Sequence, residues 1–288
     1  MKNIVLFPHP KKKNTNLYFK NNYFVNSKDS KKKYKILEYS KNYEGWSEEL
    51  TESSNKHIKP NHPIDVNSKE LCLQFLKKYS SKNKSVILEI GCSNGHLIKS
   101  IIKKKKYYYI GSDAIKNNIV KLSFIYKKIP FLVFDLINNQ FKTSICNLII
   151  MLNVLEHIKN DNKALMQAKK LLHKNGILIL EVPAAKFLYD NYDKELMHFR
   201  RYNMIEIVKK IEKAGFIIEE KTHIGFLAFP FFMIVKLFNK LFKTKNIVTK
   251  QTNYSNSKFL QLLFRLDRFI NEKWKIFGIR CFIVARKK

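Results

Sequence analysis

From Ser68 onward the chain alternates short apolar runs with stretches of helical period, and this alternation constrains the fold more than any other feature. Val86–Ile90, Tyr107–Ile110, Phe131–Phe134, Asn147–Leu152 and Ile177–Val182 read as strands. They end at Gly91, at Gly111-Ser112-Asp113, at Asp135, at Asn153 and at Pro183. Between them Leu97–Ile102, Asn117–Tyr126 and Asn162–His173 read as helices, the last closed by Asn175-Gly176. A helix over Met204–Ala214 and strands at Phe216–Glu220 and Ile279–Ala285 complete the series. Short apolar strands separated by amphipathic helices predict an α/β, Rossmann-like fold. Its seven-stranded, mostly parallel sheet carries helices on both faces and a helical insert, about 224–275, before the last strand. In such sheets a ligand sits beyond the carboxyl ends of the strands.

Residues 1–67 are rich in Lys and Asn without a sustained period, and they predict an irregular segment with a short helix near Tyr43–Leu50. The domain proper begins at Ser68, which is placed to cap a helix carrying Leu71, Leu73, Phe75 and Leu76.

The formal net charge is +32, yet only six of the basic residues are Arg, against 49 Lys and 28 Asn. That bias follows AT-rich coding more than a dedicated phosphate-reading surface, which favours Arg. The charge still attracts anionic lipids or phosphorylated substrates. Cys72, Cys92, Cys146 and Cys281 show no C-x-x-C spacing, the pattern of a reduced, cytoplasmic protein without a structural metal site. No secretory leader is expected, since Ile4–Phe7 is too short and Pro8, Pro10 and three lysines follow. The longest weakly charged stretch, Ile224–Val235, falls short of the ~20 residues that span a bilayer.

The run Val86-Ile87-Leu88-Glu89-Ile90-Gly91-Cys92-Ser93-Asn94-Gly95 is a strand, an acid and a loop of small residues that brings backbone amides close to a ligand. Ser93 and His96 stand where a dinucleotide fingerprint needs its second and third glycines, which disfavours a nicotinamide or flavin cofactor. Asp113, 24 residues after Glu89, is placed to accept from both hydroxyls of a ribose, and Asp135 from an adenine amino group. Ala114, Ile115 and Leu136 are apolar neighbours suited to sandwich the base.

These motifs resemble the class I S-adenosylmethionine (SAM)-dependent methyltransferases over nearly all of Ser68–Lys288. Asn153-Val154-Leu155-Glu156-His157-Ile158 is similar to the N-x-L-E-H-I stretch of the type 11/12 branch found near polysaccharide and lipid-linked sugar genes. Leu171–Leu178 is similar to its L-K-x-G-G-x-L. The resemblance implies SAM as cofactor, with Gly91, Cys92, Ser93 and Gly95 around its methionine part, Asp113 at the ribose, and Asp135 with Leu136 at the adenine; Glu89, Ala114 and Asn153 are further candidate cofactor contacts.

The acceptor side is carried by Asp190–Tyr202, which resembles the D-x-x-x-G-H-x-R-R-Y stretch of the same branch with Met197 in place of Gly. It makes His198 and His157 candidate bases and Arg200, Arg201 and Tyr202 candidate substrate contacts. Methyl transfer from a sulfonium requires alignment and, for some acceptors, removal of a proton, but no metal. The expected acceptor is a small molecule, a glycan or a lipid-linked sugar. Nucleic acid is the less favoured partner, because Leu152-Asn153-Val154 stands where an amine-methylating [DN]-P-P-[FY] motif belongs. Within 230–270, Lys236, Lys240 and Lys243 fall on one face of an apolar helix. A second helix pairs Phe259, Leu260, Leu262, Leu263, Leu266 and Phe269 with Arg265 and Arg268. Such helices either lie in a membrane interface or pack as a lid over the site.

Overall fold

The computed structural model describes residues 5–26, 29, 31–40, 62–80, 84–104, 106–242, 262, 266–267, 270 and 277–288. The expected helix near Tyr43–Leu50 lies outside them, as does most of the second insert helix, of which Leu262, Leu266, Asp267 and Ile270 are described and helical.

The N-terminal residues are more ordered than their composition predicts. Strands β1 (Phe7–Pro8), β2 (Asn16–Lys20), β3 (Tyr23–Asn26) and β4 (Lys33–Tyr34) form an antiparallel sheet in that order. The β2–β3 hairpin turns on two residues, Asn21 and Asn22, both at positive φ (51° and 69°), the conformation a two-residue hairpin loop demands. Phe7, Leu17 and Phe24 are fully buried and join the core of the main sheet. A Lys/Asn-rich composition hides this sheet because only a few apolar residues are needed to anchor it.

The main sheet has eight strands in the order β11-β12-β10-β9-β6-β7-β8-β5. Its members are β5 (Leu37–Glu38), β6 (Ser85–Ile90), β7 (Tyr107–Asp113), β8 (Phe131–Val133), β9 (Cys146–Leu152), β10 (Leu172–Pro183), β11 (Phe216–Ile224) and β12 (Arg280–Lys287). All seven expected strands are present, and short β5 adds an eighth, parallel to β8. Only β12 runs antiparallel to its neighbours β10 and β11.

Alternate residues of the central strands point into two cores. Val86, Leu88 and Ile90 face one with Ile149 and Met151. Ile87 faces the other with Leu148 and Ile150. Helices α4 (Asp161–Leu171) and α6 (Met204–Lys213) cover the first face through Ala164, Leu165, Ala168, Ile207 and Ile211. Helices α1 (Pro63–Tyr79), α2 (Ile98–Ile102) and α3 (Lys116–Ile125) cover the second through Leu71, Phe75, Ile98, Ile101, Ile119 and Leu122.

Two boundary expectations are corrected. Ser68 is not a cap: α1 starts five residues earlier at Pro63, and the Ser68 hydroxyl donates back to the Ile64 carbonyl at 2.9 Å. Asn175-Gly176 does not close α4, which ends at Leu171. Asn175, at φ 61°, lies in the irregular stretch where the β9–β10 register shifts.

Candidate cofactor and acceptor site

From β6 the chain runs outward through β7 and β8, whereas β9 and β10 lie on the other side of β6. The strand order therefore reverses between β6 and β9, opening a crevice at their carboxyl ends. Gly91, at φ 74°, lies at that point, and a methyl on it would collide with Val154 at the exit of β9. Ser93 adopts φ 45°, a left-handed conformation in which a glycine would be unstrained. That backbone geometry explains why a loop of this kind favours small residues.

Hydrogen bonds tie this loop to β7. The Cys92 amide donates to the Ser112 carbonyl and the Gly95 amide to the Cys92 carbonyl (2.9 and 2.8 Å). Asp113 accepts from the amides of Ser93 and Ile115, each at 2.9 Å, on different carboxylate oxygens. Burial pushes its carboxyl above the usual range, with the amides of Ile115, Ser93 and Ala114 pulling it back. The residue is half-buried, and each oxygen keeps a lone pair for a ligand hydroxyl.

The Phe134 amide donates to the Asp113 carbonyl, which sets Asp135 beside the same crevice. Asp135 is held by the Ile137 amide (2.9 Å) and the Asn138 side chain (2.7 Å), with Leu136 buried next to it. Ala114 is half-buried in the turn after Asp113. The structure thus brings Gly91, Cys92, Ser93, Gly95, Asp113, Ala114, Asp135 and Leu136 to one end of the sheet. Glu89, near the end of β6, accepts from the buried Tyr109 hydroxyl, and burial raises its carboxyl to about 8.

At the exit of β9, Asn153 takes a left-handed φ of 52°, and its amide and side chain both donate to Glu181 (3.0 and 2.7 Å). Glu181 pairs with Arg280 at 2.8 Å, and Arg280 reaches Asp65 (2.8 Å) and Ser68 (3.0 Å) on α1. Sequence reasoning missed this chain of charges, which runs from the buried Glu181 to the half-exposed Asp65. Its signal was available, since a glutamate inside an apolar strand must find a partner.

Beyond Asn153 a single 3-10 turn, Leu155–His157, buries Glu156 and His157. The Phe199 amide donates to the Glu156 carbonyl at 2.8 Å, and the rings of His157 and His198 pack edge to face with centroids 4.7 Å apart. His198 Nδ1 lies 2.8 Å from Asp193 Oδ1. Asp193 also accepts from Arg201 Nε (2.8 Å) and Lys236 Nζ (2.9 Å), and Lys236 reaches Asp190 at 2.6 Å. Burial works against the Asp193 carboxylate, but His198, Arg201 and Lys236 together hold it well below the usual carboxylate range. Burial lowers His157 to about 3, helped by His198, and lowers His198 too, although Asp193 opposes the shift there. Both imidazoles are therefore neutral near pH 7.

The expected arginine contacts are redirected. Arg201 is 5% exposed, and its guanidinium is committed to Asp193 and the Ala184 carbonyl. Tyr202 is fully buried, with its hydroxyl on Asp161 at 3.1 Å. Arg200 donates to the carbonyls of Ile158 and Lys159 (3.1 and 2.7 Å) and lies 3.1 Å from Asp161. Arg201 and Tyr202 are thus buried against internal partners, which neutralise the guanidinium charge locally, while Arg200 stays half-buried at the surface of the loop. Lys236 is likewise corrected. It lies on α7 (Phe229–Phe242) but is 2% exposed, not part of an exposed basic face. Alongside the loop, Ala184, Ala185, Tyr202, His223 and Phe229 line an apolar cavity of about 300 Å³.

A switch-point crevice with carboxylates at the tips of β7 and β8, beside a strained small-residue loop, defines a class I methyltransferase architecture, and the small residues and half-open Asp113 fit an adenosine-bearing cofactor. The chain belongs to the methyltransferase-domain family, whose model matches residues 65–224, more than half of its length. It is a SAM-dependent methyltransferase. No curated protein matches the sequence.

Solved structures share the fold at low identity. The N-methyltransferase NodS of Bradyrhizobium japonicum, in complex with S-adenosyl-L-homocysteine, is 11% identical with a TM-score of 0.51. That match covers 83% of this chain and 98% of NodS. A putative methyltransferase of Haloferax volcanii, bound to the activator Trm112, is 11% identical with a TM-score of 0.53, covering 83% of this chain and 93% of that one. The [4+2]-cyclase SpnF is 12% identical with a TM-score of 0.52, covering 76% and 80%.

Proposed function

We propose that the enzyme transfers the methyl group to an oxygen of a small-molecule, glycan or lipid-linked acceptor, and that it works at a membrane surface. The observation that supports this reading is an open apolar hollow of about 300 Å³ past the exit of β10, with Ala184 and Tyr202 in its wall. Such a volume suits the apolar part of a ligand whose polar end lies at a few convergent groups. SAM supplies an activated methyl on a sulfonium. The protein's own task is to hold the acceptor in line with it and to exclude water. Asp113 and Asp135 hold the adenosine end, and the small-residue loop from Gly91 to Gly95 accommodates the methionine end. His198, oriented by Asp193 and packed on His157, is the candidate base for an acceptor hydroxyl.

The membrane part rests on α7. Phe231, Ile234, Leu237 and Phe238 are 66%, 63%, 41% and 43% exposed, an apolar stripe at helical spacing. Among the described residues no helix is long and apolar enough to cross a membrane. Incubation of the protein with methyl-labelled SAM and fractionated cell extract tests the reading. Label in organic-extractable or glycan material is expected; label confined to nucleic acid would overturn it.

A further inference from the structure

We propose that Glu156, His157 and His198 form a binding site for one divalent transition-series cation of the zinc class. Each offers one ligand atom, and the three atoms lie within 4.8 Å of one another. Zinc holds nitrogen and oxygen ligands at about 2.0–2.2 Å, which sets them roughly 3.3–3.6 Å apart, so the side chains would draw in by up to about 1.5 Å to share an ion.

The geometry assembles this group from two distant segments. The 3-10 turn after β9 presents Glu156 and His157. The loop following α5 (Asn191–Glu195) presents His198, and the bond from the Phe199 amide to the Glu156 carbonyl fastens the two together.

The carboxyl of Glu156 is the decisive observation. It is fully buried, and neither of its oxygens meets a hydrogen-bond donor of another residue. A buried carboxyl left this way is costly, and interiors rarely keep one. The neighbouring acids differ from it: Glu181 has Arg280, Asp190 has Lys236, and Asp193 has Arg201 and Lys236. A cation between the two imidazoles supplies what Glu156 lacks.

The surroundings of the histidines match a metal site as well. His198 Nδ1 is bonded to the Asp193 carboxylate, and Asp193 is fixed by two buried cations. A carboxylate behind an imidazole orients the ring's other nitrogen toward a metal and raises its basicity. The His157 ring is held by the backbone of Met197 and Leu196. Two imidazoles and one carboxylate suit zinc and its neighbours, whereas magnesium and calcium prefer all-oxygen sets. Three protein ligands leave a position open, as in catalytic zinc sites. An acceptor hydroxyl coordinated there would be polarised toward ionisation, with His198 then a ligand in place of a base. That last role rests on the methyl-transfer reading above; the cation site does not.

The test uses the full chain, stripped with a chelator and titrated with Co²⁺ while visible absorption is read, then with Zn²⁺ by calorimetry. One equivalent should bind with d–d bands of a nitrogen-ligated site. Glu156→Gln, nearly isosteric, should weaken binding at least tenfold, and His198→Ala should do the same. Asp113→Ala, in the cofactor crevice, should bind Co²⁺ like the wild type. Absence of cobalt bands in the wild-type chain overturns the site, as does unchanged affinity in a folded Glu156→Gln. Methyl transfer that persists without any metal binding would remove this proposal alone; cobalt binding without methyl transfer to any acceptor would remove the acceptor reading alone.

Discussion

The amide of Ser93 donates to the carboxylate of Asp113, 20 residues further on, at 2.9 Å. One side chain therefore fixes the loop after β6 and keeps lone pairs free for the hydroxyls of a ligand.

Asp113→Ala should weaken SAM binding by about 1–3 kcal/mol, the size of a lost charge-assisted hydrogen bond and a loosened loop. Calorimetric titration reads this directly. An unchanged dissociation constant would detach Asp113 from the ribose.

Gly91→Ala should cost about 2–4 kcal/mol of stability. A side chain at its φ of 74° is strained, and the added methyl meets Val154. Urea unfolding of the purified variant reads the loss, and a midpoint equal to wild type would contradict the close approach of the β6 and β9 exits.

Glu89 gives the fold a pH dependence. Burial raises its carboxyl from 4.5 to about 8, so the folded state favours the protonated acid. Its contribution is complete below about pH 4.5 and is lost as pH rises through about 8. The urea midpoint of the wild type should fall between pH 5 and pH 8.5. Glu89→Gln should fall less, because the amide cannot titrate. Equal slopes would place the Glu89 carboxyl in solvent.

Lys236→Met should destabilise the protein by about 3–5 kcal/mol, because Asp190 and Asp193 would be left buried without their shared cation. Thermal unfolding measures the effect. A change within experimental scatter would mean that Lys236 lies on an exposed basic face after all.

On α7 the paired change Phe231→Glu and Ile234→Glu should lower co-sedimentation with anionic vesicles roughly tenfold or more, since two half-exposed apolar side chains would no longer enter the interface. Retained binding would assign membrane contact to another surface or to the net charge alone.

The strands of the main sheet from β6 onward, and the small and acidic residues at their ends, were legible in the sequence because each depends on local pattern. A short β-branched run such as Val86–Ile90, closed by a glycine, reads as a buried strand, and Gly91, Ser93 and the acids at Asp113 and Asp135 stand where strands end. The N-terminal sheet escaped because its anchor is three scattered residues, Phe7, Leu17 and Phe24, whose burial depends on a face built much later in the chain. The roles of Arg201, Tyr202 and Lys236 escaped for a related reason. An arginine beside a histidine looks the same in sequence whether it faces a substrate or an internal acid, and only packing placed Asp193 between them.

In the β-α alternation of residues 68–288, sequence periodicity thus indicated most of the strands and helices, because backbone geometry allows few periods. Which charges meet which was decided only by the tertiary structure: segments far apart in the chain had to fold together before Glu156 could lose water on every side and before Lys236 could be turned inward. Desolvation belongs to the assembled interior, and no short stretch of sequence carries it.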